Sequence, residues 1–136
     1  MAEKLNFEMV SPERVLTSEP CDMVVIPGEE GDFGVLVDHA PIVALLRPGV
    51  VEIYQDDKVD ERIFIVGGFA EVSADGCVLL TEEGIPLESF EKAEAERRLD
   101  TARRDLADIE DEGPAKERAA RALQVAQALM DSVNAA

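Results

Sequence analysis

The sequence predicts a mostly β chain with an α-helical end: an N-terminal antiparallel β-sandwich or barrel over residues 1–86, followed by a C-terminal antiparallel two-helix hairpin over residues 87–136. Three observations carry this. Up to Pro86, turn signals interrupt short apolar runs about every ten residues, the spacing of a sandwich or barrel. Eight of the nine glycines and five of the six aromatic residues precede Pro86, so the chain changes character there. Beyond it, apolar residues recur in steps of three and four, the period of a helix.

The elements follow in order. Leu5-Asn6-Phe7-Glu8-Met9-Val10 alternates apolar with polar, as a half-buried strand does. A second strand is expected from Asp22 to Ile26, ending at a Pro27-Gly28 turn, and Gly31-Asp32-Phe33-Gly34 reads as a turn-rich stretch. Val50 to Tyr54 alternates again and is broken by Asp56-Asp57. Arg62 to Val66 stops at Gly67-Gly68, Phe69 to Val72 resumes, and Val78 to Thr81 runs into Glu82-Glu83-Gly84.

In the second segment Ala95, Leu99, Ala102, Leu106 and Ile109 form one helical stripe, with Ser89 as the expected N-cap. Asp111-Glu112-Gly113-Pro114 is expected to stop that helix. Ala115, Ala119, Ala122, Ala126, Leu129 and Val133 form the stripe of a second helix. A short connection makes the two antiparallel, and largely alanine stripes bury little area, which predicts a weakly held seam.

Composition excludes several functions. With 13 Lys+Arg against 30 Asp+Glu the net charge is −17, which argues against nucleic acid and anionic lipid as direct partners. The charge is uneven: residues 1–86 hold 18 acids and 5 bases, residues 87–136 hold 12 and 8. The longest apolar runs, such as Ile42 to Leu46, fall far short of the roughly 20 residues of a membrane span, so no membrane insertion is expected. The first ten residues show neither a signal nor a transit pattern, which reads as a cytosolic protein. Two thiols, Cys21 and Cys77, are too few to build a disulfide framework, and both are expected as buried or half-buried free thiols.

Catalytic chemistry is hard to find. His39, the only histidine, lies in a loop pattern, Asp38-His39-Ala40-Pro41, with no evident nucleophile. The acid pairs Glu29-Glu30, Asp56-Asp57 and Glu82-Glu83 all fall at turn signals and read as solvated. No phosphate-binding loop, calcium loop or zinc spacing occurs, so neither a metal nor a cofactor is expected. The chain reads as a binding module without an activity of its own.

Several segments nonetheless resemble one family. Gly31-Asp32-Phe33-Gly34-Val35-Leu36-Val37-Asp38-His39-Ala40-Pro41, followed by Leu46-Arg47-Pro48-Gly49-Val50-Val51, is similar to the signature of the epsilon subunit of F-type ATP synthase: Gly-x-x-Gly, His-Ala-Pro, then Pro-Gly opening a strand. Gly67-Gly68-Phe69-Ala70-Glu71-Val72 resembles its second marker, and Phe7 to Glu13 its first strand. The resemblance spans the whole chain and implies a non-catalytic rotor subunit of the central stalk, in its bacterial form. It would couple proton-driven rotation of the membrane c-ring to the gamma subunit and to ATP synthesis, as a peripheral protein on the cytoplasmic face of the inner membrane. Implied contact residues for the c-ring and gamma are Gly31, Asp32, Phe33, Gly34, His39, Pro41, Gly67 and Gly68. Asp32 would meet basic groups on the polar loops of the ring.

The resemblance also gives the hairpin a regulatory role, with the alpha and beta catalytic subunits as its candidate partners. Some relatives bind ATP there through Ile/Leu-Asp-x-x-Arg-Ala. The aligned stretch here has Ser89 for the Asp and Lys92 for the Arg, ahead of Ala93. Lys lacks the bidentate fork of Arg, so weak or absent ATP binding is expected. Lys116, Arg118 and Arg121 are the only basic groups of the second helix, which suggests weak inhibition of hydrolysis. Two other classes remain open on residues alone: a small-molecule-binding sandwich with the hairpin as lid, and a hydrolase using His39 with a nearby acid.

Overall fold

A computed structural model describes residues 3–135; Met1, Ala2 and Ala136, the outermost residues of the two expected segments, lie outside the described residues. The chain divides into two compact units between Pro86 and Leu87.

The first unit is a β-sandwich approaching a closed barrel. Ten strands make it: β1 (Leu5–Val10), β2 (Val15–Cys21), β3 (Met23–Gly28), β4 (Gly31–Leu36), β5 (Ile42–Leu46), β6 (Gly49–Gln55), β7 (Lys58–Ile65), β8 (Gly68–Ser73), β9 (Gly76–Leu80) and β10 (Gly84–Pro86). They follow one hydrogen-bonded path, β10-β7-β6-β3-β5-β8-β9-β1-β2, with β4 branching from β3. All pairings are antiparallel except β1 with β9, which is parallel. Among the described residues no ladder joins β2 to β6; the Asp22 N–H donates to the Tyr54 carbonyl at 2.9 Å, and side chains add to it. Gln55 on β6 donates to the Pro20 carbonyl at 2.8 Å, and Lys4 pairs with Asp22 at 2.6 Å while donating to Gln55.

Period-two burial builds the core. Leu5, Phe7 and Met9 of β1, Val51 and Ile53 of β6, Ala70 and Val72 of β8, and Cys77 and Leu79 of β9 all point inward and join one apolar cluster. With a single fully buried phenylalanine among them, the cluster is filled by aliphatic groups. The Asp56-Asp57 turn between β6 and β7 puts both residues in the left-handed region, φ 53° and 65°, the mirror-image turn that suits strand twist.

Four expectations are corrected here. Pro27-Gly28 is not a turn: both are buried and end β3, and the chain reverses at Glu29-Glu30 instead. Gly31-Asp32-Phe33-Gly34 is strand rather than turn, because its backbone pairs in register with Val25–Gly28 across that two-residue hairpin. Two strands were not expected. Val15–Cys21 lies on a sheet edge and lacks clean alternation, and Gly84–Pro86 is only three residues long.

The second unit holds a short 3-10 helix at Leu87–Ser89, then α1 (Lys92–Ala107) and α2 (Pro114–Ala135). Ser89 does not cap α1; the N-cap position is Glu91, whose side chain makes no capping bond. Helix α1 closes at Asp108, so Ile109 falls outside it, and Pro114 starts α2 rather than stopping α1. Gly113, at φ 143°, makes the reversal just before it. The seam also differs from the alanine stripe. Ala115 and Ala122 are exposed, while Leu99, Ala102 and Ala126 are buried together with Leu123 and Met130 against them. Leucine and methionine supply area that alanine alone would not.

Candidate protein-docking site

Strand β4 sets the geometry of the expected contact residues. It leaves the Glu29-Glu30 turn at one end of the sandwich and reaches the loop of residues 37–41 at the other. Gly31, Asp32, Gly67 and Gly68 share the first end, because Gly28 opposes both Gly31 and Leu46, and Leu46 in turn opposes Gly68. His39 and Pro41 sit at the opposite end. Six residues of strand separate the two ends by roughly 17 Å, so the structure divides the expected set into two groups. Gly34 lies in the middle of β4, and Phe33 packs its ring against the core.

The first end is built on close backbone approach. A Cβ on Gly28 would stand 2.7 Å from the Gly31 carbonyl oxygen and 3.0 Å from the Phe33 ring. A methyl there would push the hairpin open.

This end is strongly acidic. Glu29, Glu30, Glu82 and Glu83 are exposed around it. Asp32 is exposed too, but its charge is compensated: Arg47 Nη2 donates to Asp32 Oδ1 at 2.5 Å, and Nη1 donates to the Gly28 carbonyl at 2.5 Å. Arg47 occupies the turn between β5 and β6 and was not singled out by its pattern.

At the other end, the His39 backbone N–H donates to the Leu36 carbonyl at 3.2 Å, and the imidazole Nδ1 lies 2.6 Å from the Ala40 carbonyl. That contact assigns the proton to Nδ1. Among the described residues, no hydrogen bond from a serine, cysteine or carboxylate to the ring is seen.

The larger feature is an apolar face on the outside of β5, β8, β9, β1 and β2. Register places Leu45 opposite Phe69, Phe69 opposite Leu80, Leu80 opposite Val10 and Val10 opposite Val15, a row across five strands. A second row runs Val43, Glu71, Val78, Glu8. Val43 and Leu45 keep 66% and 63% of their surface in solvent, and Phe69, Val78, Leu80 and Val15 are exposed as well. Isolated exposed apolar residues are ordinary, but a contiguous patch of this kind on so acidic a domain marks an association surface. The signal in the sequence is the unbroken run Ile42 to Leu46, apolar on both faces of one strand.

Two clusters complete the inventory. Glu19 on β2 meets Asp60 and Glu61 on β7, with one carboxylate oxygen of each within 4.8 Å of the others. Glu19 Oε1 is buried without a hydrogen-bond partner, and burial first, then the charges of Glu61 and Asp60, raise its pKa. A groove of 290 Å³ over β1, β2 and β9 has a mixed lining, with Glu8, Glu19 and Asp75 beside Phe7, Pro20 and Val78. Cys21 and Cys77 are buried and free, and burial pushes their thiols up to about 11 and about 12. In the second unit, Lys92 and Ala93 are exposed at the start of α1, and the Arg98 guanidinium stacks over Phe90, 5.2 Å from the ring centroid.

Comparison with known proteins supplies the context. A family model described as ATP synthase, Delta/Epsilon chain, beta-sandwich domain matches residues 4–86. The ATP synthase epsilon chain of Rhodospirillum rubrum is 46% identical over 130 residues, covering 96% of both chains. That of Paramagnetospirillum magneticum is 44% identical over 133 residues, covering 98% of this chain and 99% of its own. Among solved structures, a chain of the Euglena gracilis mitochondrial ATP synthase, resolved with OSCP, F1 and c-ring, superposes with a TM-score of 0.78 at 24% identity, over 95% of this chain and 81% of its own. A chain from the central stalk and c-ring of the Tetrahymena thermophila mitochondrial enzyme superposes at 0.66 with 15% identity, over 96% and 97%. At these identities the structural likeness speaks to the fold.

Proposed function

The chain belongs to the delta/epsilon family of ATP synthase subunits, and from that premise we propose that it is a non-catalytic subunit of the rotating central stalk. In this reading it joins the membrane c-ring to the gamma subunit and passes proton-driven rotation on to ATP synthesis. The observation that carries the proposal is the apolar face of β5, β8, β9, β1 and β2, exposed on a domain otherwise dominated by acids.

That face suits the gamma subunit. A row of Leu45, Phe69 and Leu80 offers the desolvated centre of an interface, and Glu71 and Glu8 offer charge within it. The acidic end holding Gly31, Asp32, Gly67 and Gly68 suits basic loops of the ring. His39 and Pro41, at the far end, then belong to the gamma side rather than the ring side. Torque crosses between the two through a packed aliphatic core that resists shear. The described residues include no helix long and apolar enough to cross a membrane, which fits a peripheral position on the cytoplasmic face of the bacterial inner membrane.

The hairpin is the regulatory element in this reading, acting weakly towards the alpha and beta subunits and with little or no affinity for ATP. Its support is the sequence of α1 and α2: Ser89 and Lys92 replace the Asp and Arg of the nucleotide motif, and no basic residue follows Arg121.

Co-expression of the full chain with the gamma subunit of the same organism tests the proposal. A stoichiometric complex through size exclusion is expected; two separate peaks at micromolar concentration contradict it.

A further inference from the structure

Arg47 ties together both sides of the turn at the acidic end. Its backbone N–H donates to the Pro27 carbonyl at 3.0 Å, and the Glu29 N–H donates to the Leu45 carbonyl at 2.9 Å. Its guanidinium spans the turn itself, with one nitrogen on the Gly28 carbonyl and another on Asp32, each at 2.5 Å. A planar fork can hold two acceptors at once in this way; an ammonium group holds them less rigidly. Glu29 and Glu30, at the tip, are exposed and have no side-chain hydrogen bond or ion pair among the described residues.

We propose that Arg47 is a positioning residue that latches the 28–32 turn and compensates Asp32, so that the charge offered to a basic partner loop resides on Glu29 and Glu30. This rests on the docking reading above and reassigns the charges within it. Both members of the Arg47–Asp32 pair are well exposed, so the pair adds little to global stability. Its effect is local: it fixes where the tip points. A carboxylate already matched to a guanidinium also gains less from an incoming cation than two unmatched carboxylates do.

The signs separate this from the alternative. If Asp32 were the recognition charge, Arg47 would compete with the basic partner, and removing it would tighten binding. If Arg47 is a latch, removing it loosens the tip and weakens binding, even though the chain becomes more acidic.

The test uses the full chain with purified gamma–ring stalk, titrated across a salt series. Arg47→Gln is expected to weaken binding about tenfold. Glu29→Gln combined with Glu30→Gln is expected to flatten the salt dependence, while Asp32→Asn leaves that slope unchanged. The Arg47→Gln, Asp32→Asn double variant should bind no worse than Arg47→Gln alone, because both break one latch. Tighter or unchanged binding by Arg47→Gln, or a flattened slope for Asp32→Asn, overturns the proposal. Amide exchange at Glu29 in the isolated chain reads the latch without a partner: Arg47→Gln should accelerate it, and unchanged exchange refutes the latch. Failure of the unaltered chain to bind the stalk at all would overturn the docking reading instead, with the exchange result standing apart from it.

Discussion

Gly68 and Leu80 approach so closely across the β8–β9 ladder that a Cβ on Gly68 would stand 1.9 Å from the Leu80 carbonyl oxygen. Gly68 also has φ of 132°, a backbone conformation that side-chain-bearing residues rarely adopt. Both facts bear on the apolar face, since Phe69 follows Gly68 and opposes Leu80.

Gly68→Ala is therefore expected to destabilise the sandwich by about 2–4 kcal/mol, combining backbone strain with a clash against main chain that cannot move aside. Urea unfolding followed by circular dichroism measures this. A midpoint equal to that of the parent chain would show that β8 and β9 can separate at no cost.

The thiols of Cys21 and Cys77 are buried, with pKa values pushed up to about 11 and about 12 mainly by burial. Thiolate is the reactive form, so both should be silent towards a thiol-specific reagent at mildly alkaline pH. Labelling should track global unfolding across a urea series. Fast labelling of either cysteine in native buffer would place it at the surface.

Glu19 carries a different expectation. Its folded pKa is raised above the ordinary 4.5, chiefly by burial, with Glu61 and Asp60 adding to it. The folded state thus favours the protonated acid, and the stability this contributes is present below the unfolded value and lost as pH rises through the folded one. Glu19→Gln should raise Tm at neutral pH and flatten the pH dependence between about 4.5 and neutrality. A lower Tm for Glu19→Gln at neutral pH would mean that the ionised carboxylate stabilises the fold.

For the hairpin, calorimetric titration with ATP should show no binding in the micromolar range, because Lys92 offers a point charge where a bidentate contact is needed. Removing residues 87–136 should leave ATP hydrolysis by the assembled complex nearly unchanged. Micromolar affinity, or a sharp rise in hydrolysis, would contradict the respective expectation.

Legibility varied with how local the signal was. Leu5–Val10 alternates cleanly between core and solvent and could be read directly, as could the change at Pro86. Gly31–Gly34 misled because two glycines in four residues resemble a turn, whereas only Gly31, at φ 136° beside the Glu29-Glu30 reversal, takes a glycine conformation. Val15–Cys21 was hidden because its inward side includes the polar Thr17 and Glu19 before Cys21, so no apolar alternation shows in the sequence. The second helix kept its period and Ala126 of the expected stripe is buried at the seam, but its partners there are Leu123 and Met130, each one position beyond Ala122 and Leu129. Most of the site was long-range. The pairing of Arg47 with Asp32 and the meeting of Glu19 with Asp60 and Glu61 join distant stretches of chain. The apolar face also exists only once β5, β8, β9 and β1 lie side by side.

The most direct test of stalk docking is the affinity of the full chain for its gamma subunit, measured for the parent and for Leu45→Glu and Phe69→Glu. Leu45 keeps 63% and Phe69 41% of its surface in solvent, so neither change should lower Tm by more than a few degrees. Docking through the face predicts that each weakens the complex at least about a hundredfold, since a charge at a desolvated interface centre goes unpaired. Affinity equal to the parent's for both variants, with Tm unchanged, would contradict it.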